Sequence, residues 1–249
     1  MKNLITKTTE LAIYLIRPYI ANALSTESPL VIDATCGNGH DSLALAEMLF
    51  SGVRQSETTG GSLEADGSRL GTGDCRLVAI DIQPQAVEST RALLAENGFD
   101  EELAEGRIRL ICGSHEDVPE LLRVNDMGSG NGPGYRAEGK SGTRPEDDSG
   151  NALTASVVLF NLGYLPGGDK SLTTIKSVTL PAVQSVLDIL APGGIISIIM
   201  YSGHAAGAEE KTALLEYAAG LDAKLFHTAY ISMPNQHNAP PEILLITRK

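Results

Sequence analysis

Seven short apolar, β-branched runs alternate with helical patterns along this chain, and that rhythm restricts the fold more than any single motif. The runs are Leu30–Ala34, Leu77–Asp81, Ile108–Cys112, Ser156–Phe160, Ile195–Tyr201, Lys224–Ile231 and Ile243–Thr247. Helical patterns lie between them at Asp41–Phe50, Pro84–Asn97, His115–Arg123, Thr174–Leu190 and Ala208–Ala219. Apolar strands separated by helices imply an α/β fold, a mostly parallel sheet with helices on both faces. The last two runs have only Met233–Pro241 between them, so a terminal antiparallel hairpin is expected. A seven-stranded sheet that ends this way departs from an ordinary dinucleotide-binding fold.

Two segments break the rhythm. Residues 51–74 and 126–151 are rich in Gly, Ser, Thr and charge, and read as flexible insertions in one domain spanning 1–249. Near the start, Leu11–Ile20 is apolar. Glu10 precedes that run and Arg17-Pro18 interrupts it, so an amphipathic helix packed on the domain fits better than an export signal. No stretch is long enough to span a membrane.

With 42% hydrophobic residues over 249 positions, a sizeable core is available. The formal net charge of −12 argues against broad binding to nucleic acid, while leaving room for local recognition of one folded RNA. Cys36, Cys75 and Cys112 are odd in number and lack a metal-ligand spacing, which suits reduced thiols and a cytoplasmic location. Cys36 sits in a glycine-rich turn, where a small filler is the simpler reading.

Asp33-Ala34-Thr35-Cys36-Gly37-Asn38-Gly39-His40-Asp41 reads as a strand end, a glycine turn and a helix start. Gly37 and Gly39 permit close approach of backbone to a ligand under the helix N-terminus, beside Asn38 and Asp41. Asp81 ends the next strand and could accept from both ribose hydroxyls of a nucleoside. Gly39 and Asp81 lie 42 positions apart; without the 24 residues of 51–74 the spacing is 18, near the ~20 of a nucleoside-binding βαβ unit. Gln83 follows that acid, and Ser114 and His115 follow the third strand, where an adenine edge would lie. Ser114 equally suits a helix cap.

Position 42, where a dinucleotide motif has its third glycine, is Ser42. An acid before the loop, Asp33, would repel pyrophosphate and suits the ammonium and sulfonium of S-adenosylmethionine. A turn-stabilising carboxylate is the competing reading for Asp33, and for Asp81 the two readings are closer.

The most specific segment is Phe160-Asn161-Leu162-Gly163-Tyr164-Leu165-Pro166-Gly167-Gly168-Asp169-Lys170. It leaves a buried strand and turns at once. Asn161 offers both a carbonyl acceptor and an amide donor at the carboxyl end of the sheet, where α/β proteins bind ligands.

Together with Asp81-Ile82-Gln83, Tyr201-Ser202-Gly203-His204 and Asn238-Ala239-Pro240-Pro241, these motifs resemble the Rossmann-like class I S-adenosylmethionine-dependent methyltransferases. More narrowly, they resemble the bacterial family labelled putative ribosomal RNA methylase. The matching pieces spread from residue 31 to 241, and the 160–170 run is the specific one. After His204 the family typically continues Pro-Gly-Gly, where this chain has Ala205-Ala206-Gly207.

The resemblance implies methylation of the 5-aminomethyl group of (2-thio)uridine at the tRNA wobble position, with the anticodon stem-loop as partner. It implies that Asn161 Oδ1 and the Leu162 carbonyl hold the acceptor nitrogen, that Gly163 and Tyr201 belong to the substrate side, and that Tyr164 stacks on the uracil. Lys170 would meet a phosphate, or simply be solvated. His204 and Asp169 are candidates for taking a proton, although loss of the proton to water before binding would suffice, and a structural hydrogen bond is the competing reading for His204. Glu209 and Glu210 read as helix-start carboxylates. A homodimer is left open. Competing functions are transfer to ribosomal RNA or a small amine, and a non-enzymatic RNA-binding or S-adenosylmethionine-sensing module.

Overall fold

The computed structural model describes residues 7–25, 29–58, 76–126, 153–163 and 173–249. All seven expected strands form, at Leu30–Asp33 (β1), Arg76–Asp81 (β2), Ile108–Cys112 (β3), Ala155–Asn161 (β4), Leu190–Met200 (β5), Phe226–Ile231 (β6) and Glu242–Arg248 (β7). They make one sheet in the order β3-β2-β1-β4-β5-β7-β6. β1 to β5 pair in parallel, and β7 runs antiparallel to both β5 and β6.

Helices Thr8–Ala23 (α1), His40–Thr58 (α2), Pro84–Glu96 (α3) and Asp100–Ala104 (α4) precede β3. Val118–Asp126 (α5), Lys176–Ile189 (α6) and Ala205–Ala219 (α7) follow it. Strand side chains alternate between two cores, as a pleated strand requires. Ile32, Val78, Val158, Phe160, Ile196 and Ile198 face α5, α6 and α7. Val31, Leu77, Val157, Leu159, Ile195 and Ile199 join the core that holds α1 and α2.

The N-terminal helix forms as expected. Ala12, Ile16, Ile20 and Ala23 recur at helical spacing and are buried, while Pro18 lies on the exposed face. Besides shifts of a few residues at element ends, three differences from the sequence expectation stand out. α2 continues to Thr58, eight residues into the segment read as an insertion, and 59–75 lie outside the described residues. α4 is an added helix of five residues, too short to show a periodic apolar face. β5 begins five residues early, because Leu190 pairs with Ala155 across an irregularity in the β4 register. The second insertion falls almost wholly on 127–152, outside the described residues.

Connections from β1 run outward through β2 to β3, whereas those from β4 run the other way. The order therefore reverses between β1 and β4, which opens a crevice at their carboxyl ends.

Candidate active site

A cavity of about 630 Å³ occupies that crevice. The ends of all five parallel strands reach it, through Thr35, Asp81, Ser114, Asn161 and Tyr201. Gly37, Asn38, His40, Asp41 and Gln83 form its β1 and β2 side, while Leu162, Gly163 and Thr174 form the opposite rim.

The glycine turn is built around a buried carboxylate. Asp33 is fully buried; its Oδ2 accepts from Ser42 Oγ at 2.6 Å and its Oδ1 from the Thr35 N–H at 3.2 Å. Burial, reinforced by the nearby Asp41, pushes the Asp33 carboxyl up to about 7. The direct cofactor contact expected of Asp33 is corrected here: the side chain lies behind the loop and shapes it. Ser42, the residue that breaks the dinucleotide pattern, is its partner. Gly39 adopts φ +83°, and a Cβ there would stand 2.8 Å from Thr90 Cα, so it serves close packing and does not line the cavity.

Asp81 carries two constraints. Its Oδ2 accepts from the Gly37 N–H at 3.0 Å and its Oδ1 from the Gln83 N–H at 2.9 Å. Both oxygens retain lone-pair capacity, and the residue lines the cavity, so loop-holding and ligand-accepting roles coexist. Ser114 lines the cavity and also caps the 3₁₀ turn His115–Asp117 by accepting from the Glu116 N–H at 3.3 Å. His115 packs edge-on against Phe160 at 5.9 Å, and burial lowers its pKa to about 4, so the imidazole is neutral at pH 7. Its Nε2 has no hydrogen-bond partner among the described residues. Cys36 is buried with its thiol pushed well up by desolvation, which makes it a filler and not a nucleophile.

Asn161 is fixed from two sides. Its backbone N–H donates to Thr35 Oγ1 at 2.7 Å, and its Nδ2 donates to Asp41 Oδ2 at 2.8 Å. An ionised carboxylate only accepts, so this bond decides the amide orientation and leaves Asn161 Oδ1 as the free acceptor. Burial raises the Asp41 pKa, and the bond from Asn161 opposes that shift.

Beyond Asn161 the chain is held by a carboxylate whose role the sequence did not disclose. Gly163 and Thr174 exchange bonds: the Thr174 N–H donates to the Gly163 carbonyl at 2.9 Å, and the Gly163 N–H donates to Thr174 Oγ1 at 2.9 Å. Thr174 Oγ1 donates to Glu210 Oε2 at 3.0 Å, and Thr179 Oγ1 donates to Glu210 Oε1 at 2.6 Å. Expected only as a helix-start carboxylate, Glu210 lies in the second turn of α7 and is 3% exposed, buried between α6 and α7. The only signal at the sequence level was a carboxylate on the buried stripe of α7.

His204 does not line the cavity. Its Nδ1 accepts from the Gly207 N–H at 3.1 Å and caps α7, so the structure gives it a structural bond and leaves it outside the reacting space. Tyr164, Asp169 and Lys170 lie outside the described residues. Tyr201 lines the cavity, its ring 3.5 Å from where a Gly163 Cβ would stand.

The described lining includes Asp41 and Asp81 but no Lys or Arg, with Asp33 buried behind. Such a crevice disfavours a pyrophosphate and suits a ligand carrying positive charge together with ribose hydroxyls. S-adenosylmethionine is a ligand of that kind; of the lining residues, Asp81 could hold the ribose, the Gly37–Asp41 turn the amino-acid end, and Ser114 with His115 the base.

Strand order, acidic strand ends and crevice together define a class I methyltransferase fold. The family described as "Putative rRNA methylase" matches residues 149–247. A crystal structure of a putative rRNA methylase from Clostridium thermocellum is 27% identical, with a TM-score of 0.67 over 98% of this chain and 99% of that one. A putative methyltransferase from Streptococcus mutans, solved with S-adenosylhomocysteine, shares the fold at 24% identity, TM-score 0.60, over 96% and 98% of the two chains. The chain is also 32% identical, over 88% of its length, to the chloroplastic tRNA (mnm(5)s(2)U34)-methyltransferase of Arabidopsis thaliana. It spans 63% of that relative's length.

Proposed function

We propose that this chain is an S-adenosylmethionine-dependent methyltransferase that N-methylates the 5-aminomethyl group of (2-thio)uridine at the anticodon wobble position of tRNA. The observation that carries the reading is the bond from Asn161 Nδ2 to Asp41, which leaves a fixed carbonyl acceptor at the rim of the crevice. When bound, S-adenosylmethionine supplies an electrophilic methyl carbon on a cationic sulfur. Asn161 Oδ1 and the Leu162 carbonyl accept the two N–H bonds of a neutral primary amine and leave its lone pair directed into the crevice. Orientation of this kind turns an encounter into a near-attack geometry. Transfer would form the N–C bond as the sulfur–methyl bond breaks, the bond pair staying on sulfur so that the neutral thioether S-adenosylhomocysteine leaves, and the nitrogen would then shed one proton. Because His204 caps a helix, proton loss to water is the simplest route consistent with the described residues. The kinship with the chloroplastic tRNA enzyme supports the acceptor. A wobble base in a single-stranded loop turns into a pocket without breaking a duplex, which agrees with an acidic protein acting on RNA.

The family label favours ribosomal RNA as the competing acceptor. The test is incubation of purified protein with methyl-labelled S-adenosylmethionine and separated tRNA and ribosomal RNA, followed by nucleoside mass spectrometry. Conversion of the aminomethyl to the methylaminomethyl nucleoside in tRNA is expected, with loss of transfer in Asn161→Ala. Label confined to ribosomal RNA would transfer the assignment there.

A further inference from the structure

A second groove, of about 790 Å³, adjoins the crevice and shares Thr9 and Tyr201 with it. Its walls are the first residues of α1 and the β6–β7 connection. Among the described residues, Lys7 is the one charged side chain of that lining, beside neutral hydrogen-bonding groups such as Ser232, Asn235 and Gln236. Pro234, Pro240 and Pro241 add flat apolar faces. The two walls are tied together: Thr8 Oγ1 donates to the Pro241 carbonyl at 3.1 Å. Just before the prolines, Asn238 and Ala239 both sit at positive φ, 68° and 46°, a conformation unusual for non-glycine residues and one that collects at ligand sites.

We infer that this groove seats the nucleotide adjacent to the acceptor nucleoside on the same RNA strand. The inference rests on the tRNA reading above and extends it to an assigned subsite. Single-stranded RNA is read through base edges and stacked faces, with amides and hydroxyls as the natural partners. Asn235 and Gln236 supply donors and acceptors for a base edge, the prolines supply the surface beneath it, and Lys7 supplies one phosphate contact. A groove of this size accommodates a nucleotide. Continuity through Tyr201 is what favours RNA over a peptide: whatever fills the groove meets the rim where Asn161 presents its acceptor.

Binding of a fluorescent anticodon stem-loop by anisotropy tests this without relying on turnover. The Asn235→Ala/Gln236→Ala double variant is expected to weaken stem-loop binding about tenfold or more, while stabilisation by S-adenosylhomocysteine stays at the wild-type level and reports an intact fold. Lys7→Ala is expected to flatten the dependence of log affinity on log salt by about 0.7. Wild-type stem-loop affinity in the double variant, with tRNA methylation by the wild-type protein established, would overturn the groove assignment and leave the function standing. Absence of any tRNA methylation by the wild-type protein would instead overturn the function, and the subsite with it. A change in sedimentation of the double variant at unchanged RNA affinity would give the groove to a second copy of the chain.

Discussion

Asp33→Asn should make the protein more stable, and increasingly so as pH rises from 5 to 8. In the folded protein this carboxyl titrates at about 7, against 3.8 for an unperturbed group, because burial and the neighbouring Asp41 disfavour its charged form. Between those two values the native state binds more protons than the unfolded state, so stability is fully present below about pH 4 and is lost as pH climbs through 7. A displacement of this size is worth up to about 4 kcal/mol above neutrality. Asn keeps an acceptor for one of the two bonds that Ser42 and Thr35 make to Asp33, and its amide can donate to the Ser42 hydroxyl. It carries no charge to desolvate. Urea unfolding at pH 5, 6, 7 and 8, followed by far-ultraviolet circular dichroism because the chain has no Trp, gives the difference at each pH. Other titrating groups are common to both proteins and cancel. A difference that stays flat from pH 5 to 8 would refute a buried, charge-penalised Asp33. A cationic ligand should narrow the gap at pH 8, since its positive charge offsets part of the same penalty.

Other perturbations follow from the same geometry. Glu210→Ala leaves the Thr179 hydroxyl buried without its acceptor and cuts the link to Gly163. It should cost about 2–4 kcal/mol in urea unfolding and raise KM for RNA, with Glu210→Gln recovering most of both. Asp41→Asn frees the Asn161 amide to rotate, because the new side chain can donate as well as accept. A fall in kcat of about tenfold, at little change in thermal stability, is expected from steady-state kinetics. Gly39→Ala combines φ +83° with a Cβ 2.8 Å from Thr90 Cα. Differential scanning calorimetry should show a loss of about 2 kcal/mol or more, with cofactor-induced stabilisation reduced as the turn is forced open.

Much of the site could be read from the chain because it lies where strands end. Asp81, Gln83, Ser114 and Asn161 each follow an apolar run, and a residue at the carboxyl end of a parallel strand has few places to go but the crevice. What stayed hidden were the partners. Ser42 registered as a missing glycine, yet it holds Asp33. Thr35 belonged to a quoted motif without a role, yet it anchors the Asn161 backbone 126 positions away. Glu210 looked like an ordinary helix-start acid, and His204 was left open between a base and a structural hydrogen bonder.

Local periodicity and turn chemistry were therefore enough to determine the seven strands, the longer helices between them, the closing hairpin and the acidic strand ends at the crevice, since each depends on neighbours within a few residues. Tertiary structure alone decided that Asp33 is sealed behind its loop, that Asp41 orients the Asn161 amide, and that Glu210 clasps the acceptor rim. Those contacts join segments 31 to 126 positions apart or turn on which face is buried, and only the order of strands in the sheet brings them within hydrogen-bonding distance.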